Sequence, residues 1–169
     1  MTRRFLALAA ALGVFGLDRG TKWLVETRFD TWDTKPLIPG LLNIIHSENP
    51  GIAFGIFQDG ISHNRTLALV AMSIIAVGVL AWLLWRIDRQ DRYTAAGITL
   101  IFGGALGNVF DRIRTGQVTD FIDFYTGSYH WYTFNLADAA ICIGAGLLIL
   151  GMFLAEKAAQ NVPTAIPDR

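Results

Sequence analysis

Apolar residues come in four long runs, separated by polar segments of very unequal length. The plainest run is Leu67 to Trp85, nineteen residues without a charge, which at about 1.5 Å per residue covers a hydrocarbon core of roughly 30 Å. Further runs extend from Thr94 to Phe110 and from about Leu136 to Ala155. The first run begins at Phe5 and is uncharged to Leu17, before Asp18, Arg19 and Lys22. The pattern predicts an α-helical membrane protein, a single membrane domain over 1–169. Its spans are expected at about 5–25, 67–85, 94–110 and 136–155, with loops at about 27–65 and 111–135. A basic start and a short apolar middle also describe a signal peptide, and Arg3-Arg4 a twin-arginine export signal. No small-residue cleavage box precedes the polar turn and three spans follow, so a retained anchor is expected.

The connections differ in kind. Residues 27–65 are polar and punctuated by Pro36, Pro39, Gly40, Pro50, Gly51 and Gly60, and connections longer than about 15 residues usually carry function. Leu37-Ile38 and Leu41 to His46 have the β-branched character of strands split by a Pro39-Gly40 turn, which predicts a small sheet on the membrane surface. Gly51 to Phe57 is too short to span and too apolar for water, and periodicity does not choose between a strand and an interfacial lid. The connection 86–92 holds three arginines in seven residues, with Trp82 and Trp85 at its edge. Lysine and arginine counts tie at seven on each side. The density at the N-terminus and in 86–92 predicts cytoplasmic termini, with the two long connections facing outward.

Composition narrows the class. Hydrophobic residues make up 53% and charged residues 17%, and the mean hydropathy of +0.41 belongs on the membrane side of the usual balance. The fourteen cations are scattered and balanced by fourteen acids, so no basic stripe offers itself to nucleic acid. The single cysteine, Cys142, lies in an apolar run and is read as packing, which leaves no disulfide framework and no cysteine-based metal site. His46, His63 and His130 lack ligand spacing and read as surface or loop residues. Neither a phosphate-cradling glycine loop nor a nucleophilic serine motif is present.

Chemistry concentrates in Gly103 to Asp138. Asp120 and Asp138 lie where hydrocarbon gives way to water, accompanied by Asn108, Asp111, Arg112 and Asn135. An acid near the bilayer interior costs on the order of 2.5–3.5 kcal/mol, which marks such residues as functional candidates. Two carboxylates in contact cannot both ionise and share one proton, which suits them to activating a water while polarising a peptide carbonyl. Other readings stand beside this one. Asn135 to Asp138 has capping-box spacing, Asp120 fits a turn, and Asp123 is an equal partner by spacing alone. Paired acids also build proton relays, so a proton- or ion-conducting protein is the rival, although both acids lie near one surface. A purely structural membrane subunit comes third. Asp18 and Lys22 have the spacing of a surface ion pair, or of a substrate-orienting pair at the membrane edge. Arg112 reads as a helix C-terminal charge or as a donor to a substrate carbonyl. Gly103 with Gly107, and Ala140 with Gly144, have the small-residue spacing that brings the last two helices together.

Five ordered blocks carry a family resemblance: DRGTK (Asp18 to Lys22), NPGIAF (Asn49 to Phe54), GGALGNVFDR (Gly103 to Arg112), VTDF (Val118 to Phe121) and FNLADAAI (Phe134 to Ile141). Over nearly its whole length the chain resembles lipoprotein signal peptidase, also called signal peptidase II. The resemblance implies four transmembrane helices, a small extracytoplasmic β-sheet and a loop over the active site. It also implies a bacterial inner-membrane aspartic endopeptidase that cuts prolipoproteins just before a diacylglyceryl-modified cysteine. Membrane lipid and prolipoprotein signal peptides would be its partners, globomycin its inhibitor, and no metal or organic cofactor would be required. The family's catalytic aspartates fall on Asp120 and Asp138. Its other motif residues fall on Asp18, Lys22, Asn49, Gly51, Gly104, Asn108, Arg112, Asn135 and Ala137, expected to position substrate or support the pair. Two departures stand out: Arg19 where glutamine is usual, and Ala139 where serine is more common.

Overall fold

The third helix organises the chain. In this computed structural model, which describes residues 2–51, 63–86 and 92–160, α1 (Thr2–Arg28), α2 (His63–Arg86) and α4 (Leu136–Gln160) all pack on α3 (Arg92–Thr115). Their outward faces carry large apolar side chains with no protein cover, among them Phe5, Leu12, Met72, Ile75, Ile143 and Phe153. Only hydrocarbon makes such surfaces stable. Three stretches, Thr66–Arg86, Arg92–Thr115 and Leu136–Lys157, are long and apolar enough to cross a membrane. In α1, Asp18, Arg19, Lys22 and Glu26 lower the hydropathy, but all four are turned toward α3 or the sheet and paired there. Cys142, expected to pack, is exposed on the outer face of α4.

Small residues set the helix separations. An added Cβ on Gly97 or Gly104 would run into the α4 backbone at Gly144 or Ala137, and one on Gly144 would strike the Gly97 carbonyl. The close approach of α3 and α4 therefore uses Gly97, Gly104 and Gly144. Gly103 and Gly107, expected to serve that contact, instead face α1: the first lies against Ala11 and Val14, the second against the Asp18 carboxylate, with only the Ala137 methyl reaching Gly107 from α4.

The second layer is an antiparallel sheet of β1 (Thr34–Ile38), β2 (Leu42–Asn49), β3 (Val118–Thr126) and β4 (Tyr129–His130), in that order. It sits at the end of the bundle where α1 and α3 finish and α4 begins. Gly40, at φ 81°, makes the β1–β2 turn where Pro39-Gly40 predicts one. The segment 111–135, expected as a loop, instead completes α3 and supplies half the sheet. Burial is continuous from Val118 to Phe121, so the strand shows no inside-outside alternation to betray it. His46, expected on the surface, is buried in β2, where its Nδ1 donates to the Phe29 carbonyl at 2.9 Å and ties the sheet to the end of α1. The apolar run Gly51 to Phe57 lies, beyond Gly51, outside the described residues.

Candidate active site

The floor of the site is an ion cluster. Asp18 and Lys22 are paired at 2.8 Å with no exposed side-chain surface on either, and not on the helix surface that their spacing favours. Burial follows from Gly107, whose missing side chain leaves room for the Asp18 carboxylate. The other Asp18 oxygen accepts from the Ala137 amide at 2.9 Å, in the first turn of α4, where the helix dipole favours a negative charge. Lys22 also lies 2.7 Å from Asp111 and donates to Asn108 Oδ1 at 3.0 Å, so three oxygens surround its ammonium.

That arrangement orients the layer above. With Asn108 Oδ1 committed to Lys22, its amide nitrogen points out and donates to Asp138 Oδ1 at 2.8 Å. Asn135 is fixed by a different constraint. Its oxygen accepts from the Asp138 amide at 3.0 Å, and its own amide approaches Asp138 Oδ2 at 3.3 Å, the reciprocal pattern of a capping box. The Asn135 side-chain nitrogen is thereby left to donate to Asp120 Oδ1 at 2.6 Å. Asn49, at the end of β2, donates to Asp120 Oδ2 at 3.0 Å. Asp138 thus caps α4, as its spacing allowed, and Asp120 is linked to it through Asn135 and through the 3.3 Å contact of Asn135 with Asn108.

The two acids differ in surroundings. Asp120 is 1% exposed on β3, whereas Asp138 is half-buried. Burial, and then the charge of Asp138, push the Asp120 carboxyl up to about 7, although Asn49, Asn135 and Lys22 act against the shift. Asp120 therefore exchanges its proton close to neutrality, within electrostatic reach of Asp138. Arg112, in the last turn of α3, donates to the Gly51 carbonyl at 3.1 Å and lies near both acids. Gly51 in turn donates to Asn49 Oδ1 at 2.9 Å, so the segment entering 52–62 starts beside the site.

All eleven residues singled out from the sequence gather here. Asp123 does not: three positions along a strand reverses the side, and it binds Asn43 at 2.9 Å and His130 at 2.9 Å instead. Asp111 carried no assigned role, yet it is buried between Lys22 and Arg19. Its signal was available, since Gly104, Gly107, Asn108 and Asp111 fall on one helical face.

Buried carboxyl groups gathered at one end of an apolar helix bundle fit the class of membrane-embedded enzymes. A family model described as signal peptidase (SPase) II matches residues 10–154. Proteins named lipoprotein signal peptidase from Solibacter usitatus and Geobacter sulfurreducens are 49% and 40% identical to this chain. They cover 94% and 88% of it, and the matches span 97% and 92% of their own lengths. Two solved bacterial membrane enzymes share the fold, with TM-scores of 0.80 and 0.75 at 29% and 32% identity. They cover 95% and 87% of this chain and 94% and 92% of their own. The chain belongs to the signal peptidase II family: it is a membrane-embedded bacterial peptidase.

Proposed function

We propose that this protein is an inner-membrane aspartic endopeptidase, and that Asp120 and Asp138 carry its reaction on prolipoproteins. The enzyme would cut just N-terminal to a diacylglyceryl-modified cysteine. The observation that carries this reading is the asymmetric pair: Asp120 is buried, with its carboxyl pushed up to about 7, while Asp138 is half open. Ionised Asp138 takes a proton from a water as its oxygen adds to the scissile carbonyl carbon. The Asp120 proton goes to the carbonyl oxygen, giving a neutral diol. Collapse reverses the roles: the amide nitrogen gains the Asp138 proton, the carbon–nitrogen bond breaks, and Asp120 recovers its proton. The products are a carboxylic acid on the signal peptide, which then releases its proton to water, and a free amine on the lipidated cysteine.

Supporting roles follow from the contacts. Asn108 and Asn135 hold the acids apart from one another at fixed angles, and Asp18, Lys22, Gly104 and Ala137 hold the helices that carry them. Asn49, Gly51 and Arg112 lie where an extended substrate backbone would pass. The substrate lipid stays in hydrocarbon beside the bundle, and globomycin is expected to compete for the same place. Orientation is argued from the far end, where Arg4 lies over the Trp85 ring at 4.7 Å and Arg86 over Trp82 at 5.4 Å. Such a belt of arginine and tryptophan supports a cytoplasmic side at that end of the bundle, with the sheet outside.

The test is cleavage of a diacylglyceryl-modified precursor by the protein in detergent or vesicles, with Asp120→Asn, Asp138→Asn and Asp123→Asn. Loss of turnover in the first two with activity retained in the third is expected. Turnover by either of the first two would overturn the assignment.

A further inference from the structure

The β2–β3 register slips by one residue between Ile44 and Ser47, opposite Phe121 and one residue from Asp120. A bulge of this kind interrupts the ladder, so the strand bearing Asp120 needs holding from elsewhere. Phe134 holds one side, its carbonyl accepting from the Phe121 and Ile122 amides at 3.0 and 2.8 Å. Thr119 turns the opposite way from Asp120, as alternate strand residues do, and its buried hydroxyl donates to Glu26 Oε1 at 2.9 Å. Glu26 is itself fixed: Arg114 donates to its Oε2 at 2.9 Å, and Arg19 lies 3.5 Å from Oε1. Arg19 also pairs with Asp111, which meets Lys22, and Lys22 sets the Asn108 amide that binds Asp138. One carboxylate on α1 thus touches the supports of both acids.

We infer that Glu26 is a positioning residue for the reaction, fixing Asp120 through the Thr119 hydroxyl and bracing the Arg19–Asp111 pair behind Asp138. The inference rests on the proposed roles of Asp120 and Asp138. A carboxylate suits the task because it accepts hydrogen bonds from Arg114 and the Thr119 hydroxyl while attracting the Arg19 cation, which a neutral side chain cannot match. It also accounts for Arg19 in a place where glutamine is usual: Arg19 reaches both Glu26 and Asp111. Glu26 faces Arg19 on its own helix, Arg114 on α3 and Thr119 on β3. Asp120 faces Asp138 on α4, Lys22 on α1, Arg112 on α3, and the amides of Asn49 and Asn135.

Thr119→Val keeps the shape and removes only the hydroxyl, Glu26→Ala removes the acceptor, and Glu26→Gln keeps one. In Thr119→Val and Glu26→Ala, kcat is expected to fall about tenfold, short of the roughly 100-fold that a misplacement of about 1 Å costs. KM should stay within about twofold, since the lost contact serves the reacting acids and not substrate binding. Glu26→Gln should lie between these and the wild type, and the double variant should be no worse than the worse single one. As Asp120 drifts from Asp138, the alkaline decline of kcat should also move down by about half a pH unit, because it reports how closely the acids face each other. Wild-type kcat and an unmoved decline in Thr119→Val would overturn the inference, even with a lowered Tm, and this variant decides if Glu26→Ala does not accumulate. Asp120→Asn and Asp138→Asn run alongside. If either turns over, the catalytic assignment fails and this inference with it. If both are dead while Thr119→Val behaves as wild type, this inference alone fails.

Discussion

Replacing Asp120 with asparagine should end turnover and also lift a pH-dependent penalty on the folded state. Burial, with the Asp138 charge behind it, holds the Asp120 carboxyl at about 7 against an ordinary 3.8. Between those values the folded protein keeps a proton that the unfolded chain has released. This group's contribution to stability therefore falls as pH rises from about 4 to about 7 and changes no further above that. The full gap of about 3 pH units corresponds to roughly 4 kcal/mol, and the part lying between about pH 5 and pH 8 to roughly 2–3 kcal/mol. Asparagine does not titrate, so the variant lacks this slope. Its amide hydrogens would face the Asn49 or Asn135 donor, an offset of about 1 kcal/mol that is the same at both pH values and cancels in the comparison. Thermal unfolding in detergent, followed by tryptophan fluorescence near pH 5 and near pH 8, measures the difference. At about 2–4 °C per kcal/mol for a chain of this size, the wild-type Tm should drop by roughly 5–10 °C more than that of Asp120→Asn. Parallel pH dependence in the two proteins would refute the claim that Asp120 is protonated in the folded state.

Three further substitutions probe the supports. Lys22→Met leaves the buried Asp18 and Asp111 carboxylates without their shared cation, which should cost about 3–5 kcal/mol. The detergent-soluble yield should collapse and recover in part when Asp18→Asn is added, and a normal yield from Lys22→Met alone would contradict the burial argument. Gly104→Ala drives a methyl into the Ala137 carbonyl and should cost about 1–3 kcal/mol while lowering kcat, because that turn of α4 carries Asp138. Gly13→Ala, where an added Cβ meets open space, is its control and should match wild type in Tm and rate. Arg112→Lys shortens the reach to the Gly51 carbonyl and should raise KM several-fold with a smaller effect on kcat, read from initial rates across substrate concentrations.

What the sequence disclosed and what it hid divide along physical lines. The apolar runs disclosed the helices because lipid covers them: α2 is legible from Leu67 to Trp85 since almost none of it needs a protein partner. The acids disclosed the site because carboxylates at a membrane boundary are costly, and the resemblance sorted Asp120 from Asp123, which spacing did not. The strand Val118–Thr126 stayed hidden because helices and sheet bury both of its faces near Asp120, which erases the alternation. Asp18 and Lys22 have the same spacing on a surface as in a core, so only the neighbouring glycine on another helix distinguishes the two. Glu26 carried no motif at all. Its partners come from α1, α3 and β3, and no local pattern links residues that meet only after the sheet docks.

The proton on which the proposed reaction depends follows from the charges that the fold encloses. Around the site, the carboxyl groups of Asp18, Asp111, Asp120 and Asp138 face the cations of Arg19, Lys22 and Arg112. Adding Glu26 with Arg114 leaves the excess unchanged at one negative charge. In a low-dielectric setting an uncompensated charge costs several kcal/mol, and taking up a proton is the cheaper response. That proton settles on the buried acid whose neighbouring cations are engaged elsewhere: Lys22 is spent on Asp18, Asp111 and Asn108, and Arg112 on Gly51, which leaves Asp120 with neutral amide donors. The ion cluster beneath the two acids therefore bears on the proton of Asp120 as well as on its position, and in the proposed reaction the floor residues would contribute without touching the substrate.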